Sequence, residues 1–330
     1  MFMNNKHAYI LLFSSLALIS CFSQKSVSTK NQYKHDFNQE TNRIVFIGDT
    51  QKTNKLQFLN EKNIGIQDSL FKKISSDSPD LLIHLGDLVE LGSSLSDWNE
   101  FDKFSAYIHE NKIPFLSVLG NHEYHGNNKK ALSNFFSRFG YFKNKESWFS
   151  FVLSGLGFIL INSNEDEMSL EEMDLQFNWF NNKIEEFNKA DSVDYIIVVC
   201  HHPPYTNMDV QYFKNALPLI HSKDWSSGYI RKNYSIEFMK SDKARLFVSG
   251  HTHSYEHFIF EGKHFIVSGG GGGPRDPINL KGSYEDVFNG PVIRNFNYCR
   301  LTRDKESWIF EMLNYSEDKK WEVGDKFVIN

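Results

Sequence analysis

The sequence of 330 residues has few cysteines, few prolines and no strongly basic segment. Its three cysteines are too few for a disulfide-dense secreted scaffold. Because Cys200 and Cys299 each lie in an apolar, strand-like run, we expect two buried thiols rather than a bridge. A net charge of −5 without a basic run argues against a dedicated nucleic-acid-binding protein.

The sequence also lacks a hydrophobic run long enough to span a membrane. Lys6 precedes an apolar stretch from Ala8 to Leu18, so residues 1–20 have the length and composition of a signal peptide. The stretch ends in Leu18-Ile19-Ser20-Cys21, which resembles the lipobox of bacterial lipoproteins, where the cysteine carries lipid. We therefore expect an exported cell-envelope protein, anchored to the membrane through Cys21, with an ordinary secretory signal as the alternative.

The rest of the chain is predicted to form one domain. Residues 21–41 are rich in Ser, Lys, Asn and Gln, which is typical of a flexible tether. No linker rich in Pro, Gly or Ser interrupts residues 42–315, and no internal repeat is visible. We therefore predict a single folded domain over residues 42–330.

Strand-like and helix-like segments alternate at the start of this domain. Strands are predicted at Arg43–Ile47, Leu81–His84 and Phe115–Leu119, with helices at Ile66–Ser75 and Trp98–Glu110 between them. This order predicts neighbouring parallel strands with functional residues at their carboxyl ends. The other predicted elements are a hairpin over Trp148–Leu153 and Gly157–Ile161, a helix over Leu170–Phe187, strands at Tyr195–Cys200, Ala244–Ser249, His257–Phe260 and His264–Ser268, a long loop over residues 204–232, and an antiparallel pair over Asn295–Thr302 and Ser307–Leu313.

Five segments place Asp, Asn or His directly after a predicted strand. Carboxylates, an amide and imidazoles that meet at one sheet edge suit two ions of Mn, Fe, Zn or Mg. Two such ions roughly 3.5–4 Å apart can hold a hydroxide between them and bind a phosphoryl group for in-line attack. The segments are Gly48-Asp49-Thr50-Gln51, Gly86-Asp87, Gly120-Asn121-His122-Glu123, Cys200-His201-His202-Pro203 and Gly250-His251-Thr252-His253.

In order and spacing, these segments resemble the calcineurin-like metallophosphoesterase superfamily from about residue 43 to residue 260. The resemblance implies an α/β fold, a double β-sheet sandwich flanked by helices in four layers (α/β/β/α). It also implies a centre of two divalent or mixed-valence metal ions whose bridging hydroxide hydrolyses small phosphate esters. His122 matches the family's histidine that is not a ligand and that protonates the leaving oxygen or stabilises the transition state. The implied ligands are Asp49, Gln51, Asp87 and His253 for the first metal and Asp87, Asn121, His201 and His251 for the second, with Asp87 as the bridge.

Two positions depart from the family pattern. Gln51 replaces the histidine of the usual D-x-H block, and its neutral amide oxygen favours Mn, Mg or Fe over Zn. Glutamine here resembles the manganese-dependent ADP-ribose/CDP-alcohol diphosphatase branch. Glu90 stands where the purple acid phosphatase branch has a metal-binding tyrosine, yet Gly269–Gly273 with Arg275 resembles the glycine-rich stretch of the purple acid phosphatase-like branch. These markers conflict, so they do not define the substrate class.

Several assignments keep an alternative. His201 is preferred to His202 as the ligand because it directly follows its strand, which leaves His202 beside the metals or on the pocket wall. Glu123 either orients His122 or is a surface carboxylate.

The glycine-rich stretch and Gln51 also have two interpretations. The bare backbone of Gly269–Gly273 either approaches a phosphate, with Arg275 as an anion clamp, or forms a flexible turn. For Gln51 the alternative is a side chain that does not touch metal.

The predicted activity is hydrolysis of small extracytoplasmic phosphate monoesters. Cleavage of phosphodiesters or nucleotide diphosphates is the alternative suggested by Gln51, and a non-catalytic surface lipoprotein that retains metals is the alternative from another class. A metallo-β-lactamase-type hydrolase requires an H-x-H-x-D-H run, which Gly250–Glu256 does not supply. No nucleic-acid partner is expected.

Overall fold

The structure, a computed structural model, describes residues 41–53, 61, 63, 65–140, 147–209, 225–316 and 318–330. These residues form seven α-helices and twelve β-strands. The predicted signal peptide, Cys21 and all but the last residue of the predicted tether lie outside the described residues. Within the described ranges, no helix has the length and apolar character needed to cross a membrane.

The first sheet combines three parallel strands with three antiparallel ones. Across this sheet the order is β12-β11-β10-β1-β2-β3, and β1, β2 and β3 are parallel as predicted. β1 also pairs with β10 in antiparallel fashion, with Arg43 opposite Thr302. The strands of this sheet are β1 (Arg43–Ile47), β2 (Leu81–His84), β3 (Phe115–Ser117), β10 (Phe296–Asp304), β11 (Ser307–Tyr315) and β12 (Trp321–Ile329).

The second sheet is parallel at its centre and antiparallel at its edges. Its order is β4-β5-β6-β7-β9-β8, in which only the β4–β5 and β8–β9 pairs are antiparallel. The strands are β4 (Phe149–Leu153), β5 (Leu156–Leu160), β6 (Tyr195–Val199), β7 (Ala244–Ser249), β8 (Tyr255–Phe260) and β9 (Lys263–Ser268).

Helices cover the outer face of each sheet. α1 (Ile66–Ser76), α2 (Leu95–Phe104), α3 (Ala106–Glu110) and α4 (Asn128–Phe136) contribute apolar side chains to the cluster on the first sheet. α5 (Leu170–Lys189), α6 (Trp225–Lys232) and α7 (Tyr234–Lys240) do the same for the second sheet.

Alternation along the strands generates three apolar layers. In β1, Ile44 and Phe46 face the second sheet, whereas Val45 and Ile47 face the helices. Complete burial of each such side chain contributes about 1.5–3 kcal/mol. The arrangement confirms the predicted four-layer α/β/β/α sandwich.

Both predicted thiols are confirmed. Cys200 and Cys299 are free and buried, the first directly after β6 and the second on β10. The Sγ of Cys299 donates to Ser268 Oγ at 3.3 Å, so each thiol fills core space rather than forming a bridge.

Some element predictions were wrong. The helix predicted over Trp98–Glu110 is two helices that meet at Ser105, whose hydroxyl donates to the Phe101 carbonyl at 2.7 Å. The loop predicted over residues 204–232 contains α6 in its described last part. β12 was missed because its side chains are largely exposed, so it lacks the apolar alternation of a half-buried strand.

A histidine network joins β12 to the second sheet. His257 Nδ1 donates to Asp325 Oδ2 at 2.7 Å, and its Nε2 shares a hydrogen bond of 2.8 Å with His264 Nδ1. Tyr255 also donates to Asp325, and the His264 ring stacks on Phe327 at 4.0 Å. The two imidazoles are in direct contact, so a positive charge on one opposes protonation of the other.

We expect this network to weaken the fold at acidic pH. Burial and the neighbouring His257 lower the pKa of His264 from 6.5 to about 4. Between those values the unfolded chain binds a proton that the folded chain does not, so stability falls as pH drops from 6.5 to 4. With screening at this half-buried ring, the expected loss is about 1–2 kcal/mol. His264→Asn keeps a hydrogen-bonding side chain without titrating and should show a flatter pH dependence in urea unfolding; equal slopes for both proteins would contradict the explanation.

Candidate metal centre

The five predicted segments meet at the carboxyl ends of β1, β2, β3, β6 and β7. Three ligand atoms, from Asp49, Asp87 and His201, lie within 4.8 Å of one another. A second group of atoms within the same distance comes from His201, His202 and His251. Since His201 belongs to both groups, the structure brings carboxylates from the first sheet and imidazoles from the second sheet into one cluster.

The backbone turns sharply at three of these residues. Asp49, Asp87 and His251 have φ values of 61°, 56° and 70°, in the left-handed region. For residues other than glycine, this conformation costs about 1–2 kcal/mol each. The turns are held by hydrogen bonds, since Asp49 N donates to the Gly86 carbonyl at 3.1 Å and His251 N donates to both Asp49 oxygens at 3.0 Å.

Backbone carbonyls set the tautomers of two histidines. His201 Nδ1 donates to the Leu85 carbonyl at 2.8 Å, and His253 Nδ1 donates to the Pro274 carbonyl at 2.7 Å. In each ring Nε2 is thereby directed into the cluster, which is the orientation of a metal-binding histidine. His201 Nε2 lies 3.3 Å from Asp87 Oδ2, and His253 Nε2 lies 3.5 Å from Asp49 Oδ1.

Gln51 lies inside the cluster. Its Nε2 is 2.8 Å from His253 Nε2 and 3.4 Å from Asp87 Oδ2. Its Oε1 is buried and has no hydrogen-bond partner in the described part of the chain. A buried amide oxygen without a partner is costly, and a cation would satisfy it.

The amide of Asn121 and two more imidazoles complete the opposite side. Asn121 Oδ1 is 3.1 Å from His201 Nε2, and His251 Nδ1 is 3.2 Å from the same nitrogen. The His202 ring lies 4.3 Å from the His251 ring and its Nδ1 contacts Ser163 Oγ at 2.9 Å. The structure therefore places His202 beside the cluster as well.

Electrostatics in the cluster follow from burial and close charge pairs. Burial raises the pKa of Asp49 to about 7. Burial alone would lower the pKa of His201, but Asp87 and Asp49 raise it to about 9. Although burial also opposes ionisation of Asp87, His201 and His122 hold its pKa well below the usual range. The buried carboxylates thus draw positive charge to this edge.

His122 lies at a partly exposed side of the cluster. Its Nδ1 donates to the Glu90 carbonyl at 2.7 Å, and its Nε2 lies 3.8 Å from Asp87 Oδ2. Its side chain is 19% exposed, compared with 2% for Asp87. The ring is therefore oriented toward the cluster while remaining accessible to a substrate.

Glu123 is buried rather than a surface carboxylate, and it does not orient the His122 ring. Its two oxygens accept from the backbone N–H groups of Asp87, Leu88 and Gly120, each at 2.8 Å. It therefore fixes the loop after β2 against the loop after β3. Burial, reinforced by the Asp87 carboxylate, raises the pKa of Glu123 to about 7.

Removal of the Glu123 carboxylate should strongly destabilise the fold. Glu123→Ala leaves three buried N–H groups without their acceptor, and we expect the free energy of unfolding in urea to fall by about 3–5 kcal/mol. Glu185→Ala is the matched control, because Glu185 pairs with Lys189 on the surface and its unfolding curve should stay close to that of the wild type. A loss below about 1 kcal/mol for Glu123→Ala would contradict this role.

The glycine-rich stretch packs closely against other parts of the chain. A Cβ on Gly269 would lie 2.1 Å from the Thr252 carbonyl oxygen, and one on Gly271 would lie 2.1 Å from the Gly48 oxygen. The stretch therefore packs tightly against the ends of β1 and β7, and side chains would separate them. The close neighbours of Gly269 and Gly271 are protein backbone, and approach of the stretch to a phosphate stays a prediction.

Arg275 is not directed into the cluster. Its Nε pairs with the Glu61 carboxylate, and its guanidinium carbon lies 4.9 Å from the centre of the Phe296 ring. Its predicted role as an anion clamp stays a prediction that requires this ion pair to open.

The sequence did not reveal the backbone partners. The carbonyls of Leu85, Pro274 and Glu90 orient three histidines. Because every residue has a backbone carbonyl, residue types do not show which carbonyls do this. His84 accepts from Gly86 N at 3.2 Å and contacts Thr50 Oγ1 at 3.0 Å. Burial lowers its pKa to about 3, so the ring is neutral.

The donor set fits a pair of hard or borderline metal ions. It combines carboxylates, amide oxygens and imidazole nitrogens without a thiolate, and Gln51 supplies an unpartnered buried oxygen. Asp87 contacts members of both predicted ligand sets, Gln51 and His201, as a bridging carboxylate requires.

The sequence profile of the calcineurin-like phosphoesterase family matches residues 42–255, which include every predicted ligand and His122. No curated protein matches the sequence.

Solved structures of similar fold include three with TM-scores above 0.5. The purple acid phosphatase PPD1 from yellow lupin (Lupinus luteus) seeds has a TM-score of 0.64 and 17% identity over 90% of this chain, which spans only 55% of the lupin chain. GAP50, the anchor in the inner membrane complex of Plasmodium, has a TM-score of 0.62 and 17% identity over 88% of this chain and 89% of that one. A dimetal phosphatase from Danio rerio has a TM-score of 0.55 and 11% identity over 88% and 99%. At these identities the likeness shows the fold alone.

Proposed function

The chain belongs to the calcineurin-like phosphoesterase family. We therefore propose that it hydrolyses phosphate esters with bound metal ions and that its substrates are small monoesters. The observation that carries this proposal is the position of His122. Its Nε2 lies 3.8 Å from Asp87 Oδ2 on the partly exposed side of the cluster, whereas Asp49 and Asp87 are buried. A monoester has one organic group, which can extend outward past this ring while its phosphoryl group lies inside.

The residues that would hold two metal ions are those of the cluster. Asp49, Gln51, Asp87 and His253 form one set; Asp87, Asn121, His201 and His251 form the other. Bound there, the ions would supply an activated water and neutralise charge on the phosphoryl oxygens. Because Gln51 offers a neutral amide oxygen, we propose Mn or Fe at the first site rather than Zn.

His122 would transfer a proton to the leaving oxygen. Its Nδ1–H is committed to the Glu90 carbonyl, so the transferred proton must reside on Nε2. The Glu90 contact also prevents the ring from rotating, which keeps Nε2 directed toward the reacting phosphoryl group. Asn121 and the protonated His122 can then both donate to oxygens that gain negative charge.

We further propose that the chain is exported and lipid-anchored through Cys21. The proposal rests on the apolar run and the Leu18-Ile19-Ser20-Cys21 pattern. Cell fractionation tests it: the wild type should appear with membranes, and Cys21→Ser should leave the membrane fraction.

The catalytic proposal is tested on the metal-stripped full chain, reloaded separately with Mn, Fe, Zn and Mg. Hydrolysis of p-nitrophenyl phosphate is compared with that of bis-p-nitrophenyl phosphate. Monoester turnover restored best by Mn or Fe is the expected result.

Other outcomes contradict parts of the proposal. Turnover of the diester alone would favour the diphosphatase-like alternative suggested by Gln51. Stoichiometric metal binding without turnover of either ester would favour a non-catalytic metal-containing protein.

A further inference from the structure

Glu256 is a buried carboxylate that the proposed mechanism does not use. It lies on β8, three residues after His253, and its relative exposure is 0%. Its Oε1 accepts from the Thr206 hydroxyl at 2.6 Å, and its Oε2 accepts from Asn207 N at 2.7 Å. Burial of a carboxylate costs free energy, and these two bonds offset part of that cost.

The contacts of Glu256 join two segments that carry predicted ligands. Thr206 follows His201 along the loop after β6, and its Oγ1 lies 3.1 Å from Thr252 Oγ1. Because the Thr206 hydrogen goes to Glu256 in this arrangement, Thr252 donates to Thr206. Thr252 lies between His251 and His253 in the sequence. The side chains of Glu256, Thr206 and Thr252 therefore link the segment of His201 to the segment of His251 and His253.

Asn207, whose backbone N–H binds Glu256, also contacts a third segment. Asn207 Nδ2 donates to the Tyr284 carbonyl at 2.7 Å, and Asn207 Oδ1 accepts from Tyr284 N at 3.1 Å. The backbone held by Glu256 is therefore braced from the long connection before β10 as well. Movement of the His201 segment away from the His251 segment would break the bonds of Thr206.

We propose that Glu256 is a positioning residue that sets the distance between His201 and His251, the two histidines of the second metal set. The inference rests on the proposed function for its metal assignment. His201 and His251 come from different strands, and their nearest ring nitrogens are 3.2 Å apart. Without the carboxylate, Thr206 and Asn207 lose their acceptor and the two rings separate or reorient, while Asp49, Gln51 and His253 keep their own contacts.

The test uses substitutions that cut the link at different points. In Glu256→Gln, an amide NH₂ group replaces one of the two accepting oxygens and therefore faces a donor, either the Thr206 hydroxyl or Asn207 N. Thr206→Val removes the hydroxyl and keeps the shape, whereas Thr206→Ser keeps the hydroxyl and should behave as wild type. Glu311→Gln is the matched control, because Glu311 is a largely buried carboxylate paired with Arg300 on the first sheet.

Two measurements on the full chain separate this inference from the proposed function. In the metal-free protein, the imidazole NMR signals of His201 and His251 should shift in Glu256→Gln and Thr206→Val but not in Thr206→Ser or Glu311→Gln. In a Mn²⁺ titration, the same two variants should bind one of two ions about 10–100-fold more weakly.

Unchanged imidazole signals in both variants, or the same shifts in Glu311→Gln, would overturn the inference. If Glu256→Gln does not fold, the comparison of Thr206→Val with Thr206→Ser decides whether this link positions the two histidines. A wild type that binds fewer than two Mn²⁺ ions would instead contradict the proposed function, and the metal-free NMR comparison would still decide the positioning role.

Discussion

An Asp87→Asn variant is expected to lose at least about 10³-fold in kcat/KM and to bind fewer than two metal ions per chain. Asp87 Oδ2 lies 3.4 Å from Gln51 Nε2 and 3.3 Å from His201 Nε2, so it faces both ligand sets. Its Oδ1 also accepts from His122 N at 2.9 Å. The amide removes the negative charge that would hold two cations together, and stabilisation of phosphoryl charge by metal is worth several kcal/mol.

Metal stoichiometry and steady-state kinetics test this expectation together. Asp80→Asn is the control for the same chemical change, because Asp80 accepts from Asn42 N and Arg43 N at the opposite end of β1. It should bind two ions and keep wild-type activity. An Asp87→Asn enzyme with two bound ions and activity within tenfold of wild type would exclude Asp87 as the bridge.

A His122→Ala variant should lose about 10²–10⁴-fold in kcat on esters of weakly acidic alcohols. The loss should be much smaller with p-nitrophenyl phosphate, since its leaving group is acidic and needs little protonation. His122 donates its backbone N–H to Asp87 Oδ1, and alanine keeps this bond. Because His122 is also in neither ligand set, metal content should stay at the wild-type value.

The comparison of two substrates makes this result diagnostic. A ring that served only to hold the Asp87 loop would lower both activities by the same factor and would alter metal content. His109→Ala on α3 is the control for removal of a histidine, and its kinetics should match the wild type on both esters. Equal losses on the two esters would remove His122 from the role of acid.

The cluster could be predicted because its candidate ligands are side chains that follow the ends of strands. Asp49, Asp87 and Asn121 each follow a strand of the first sheet, and parallel strands bring their carboxyl ends to one edge. The apolar runs of these strands are buried on both faces, which makes them easy to recognise from sequence.

What could not be predicted depends on contacts between distant segments. Glu256 and Thr206 are fifty residues apart, and neither belongs to a spacing that signals a metal site. Glu123 was recognised as close to the cluster, but its partners are backbone N–H groups that any residue could supply. The Ser105 break was missed because a hydroxyl bonded within its own helix leaves the apolar period intact.

The pairing of β1 with β10 also has a consequence for the order in which the protein folds. It joins residues 43–46 to residues 299–302, roughly 250 positions later in the chain, which gives the first sheet a high contact order. Such pairings close slowly because the loop entropy must be overcome before the contact forms. The strand that presents Asp49 gains this neighbour only after residues 299–302 are available, so completion of the first sheet is a late step in folding.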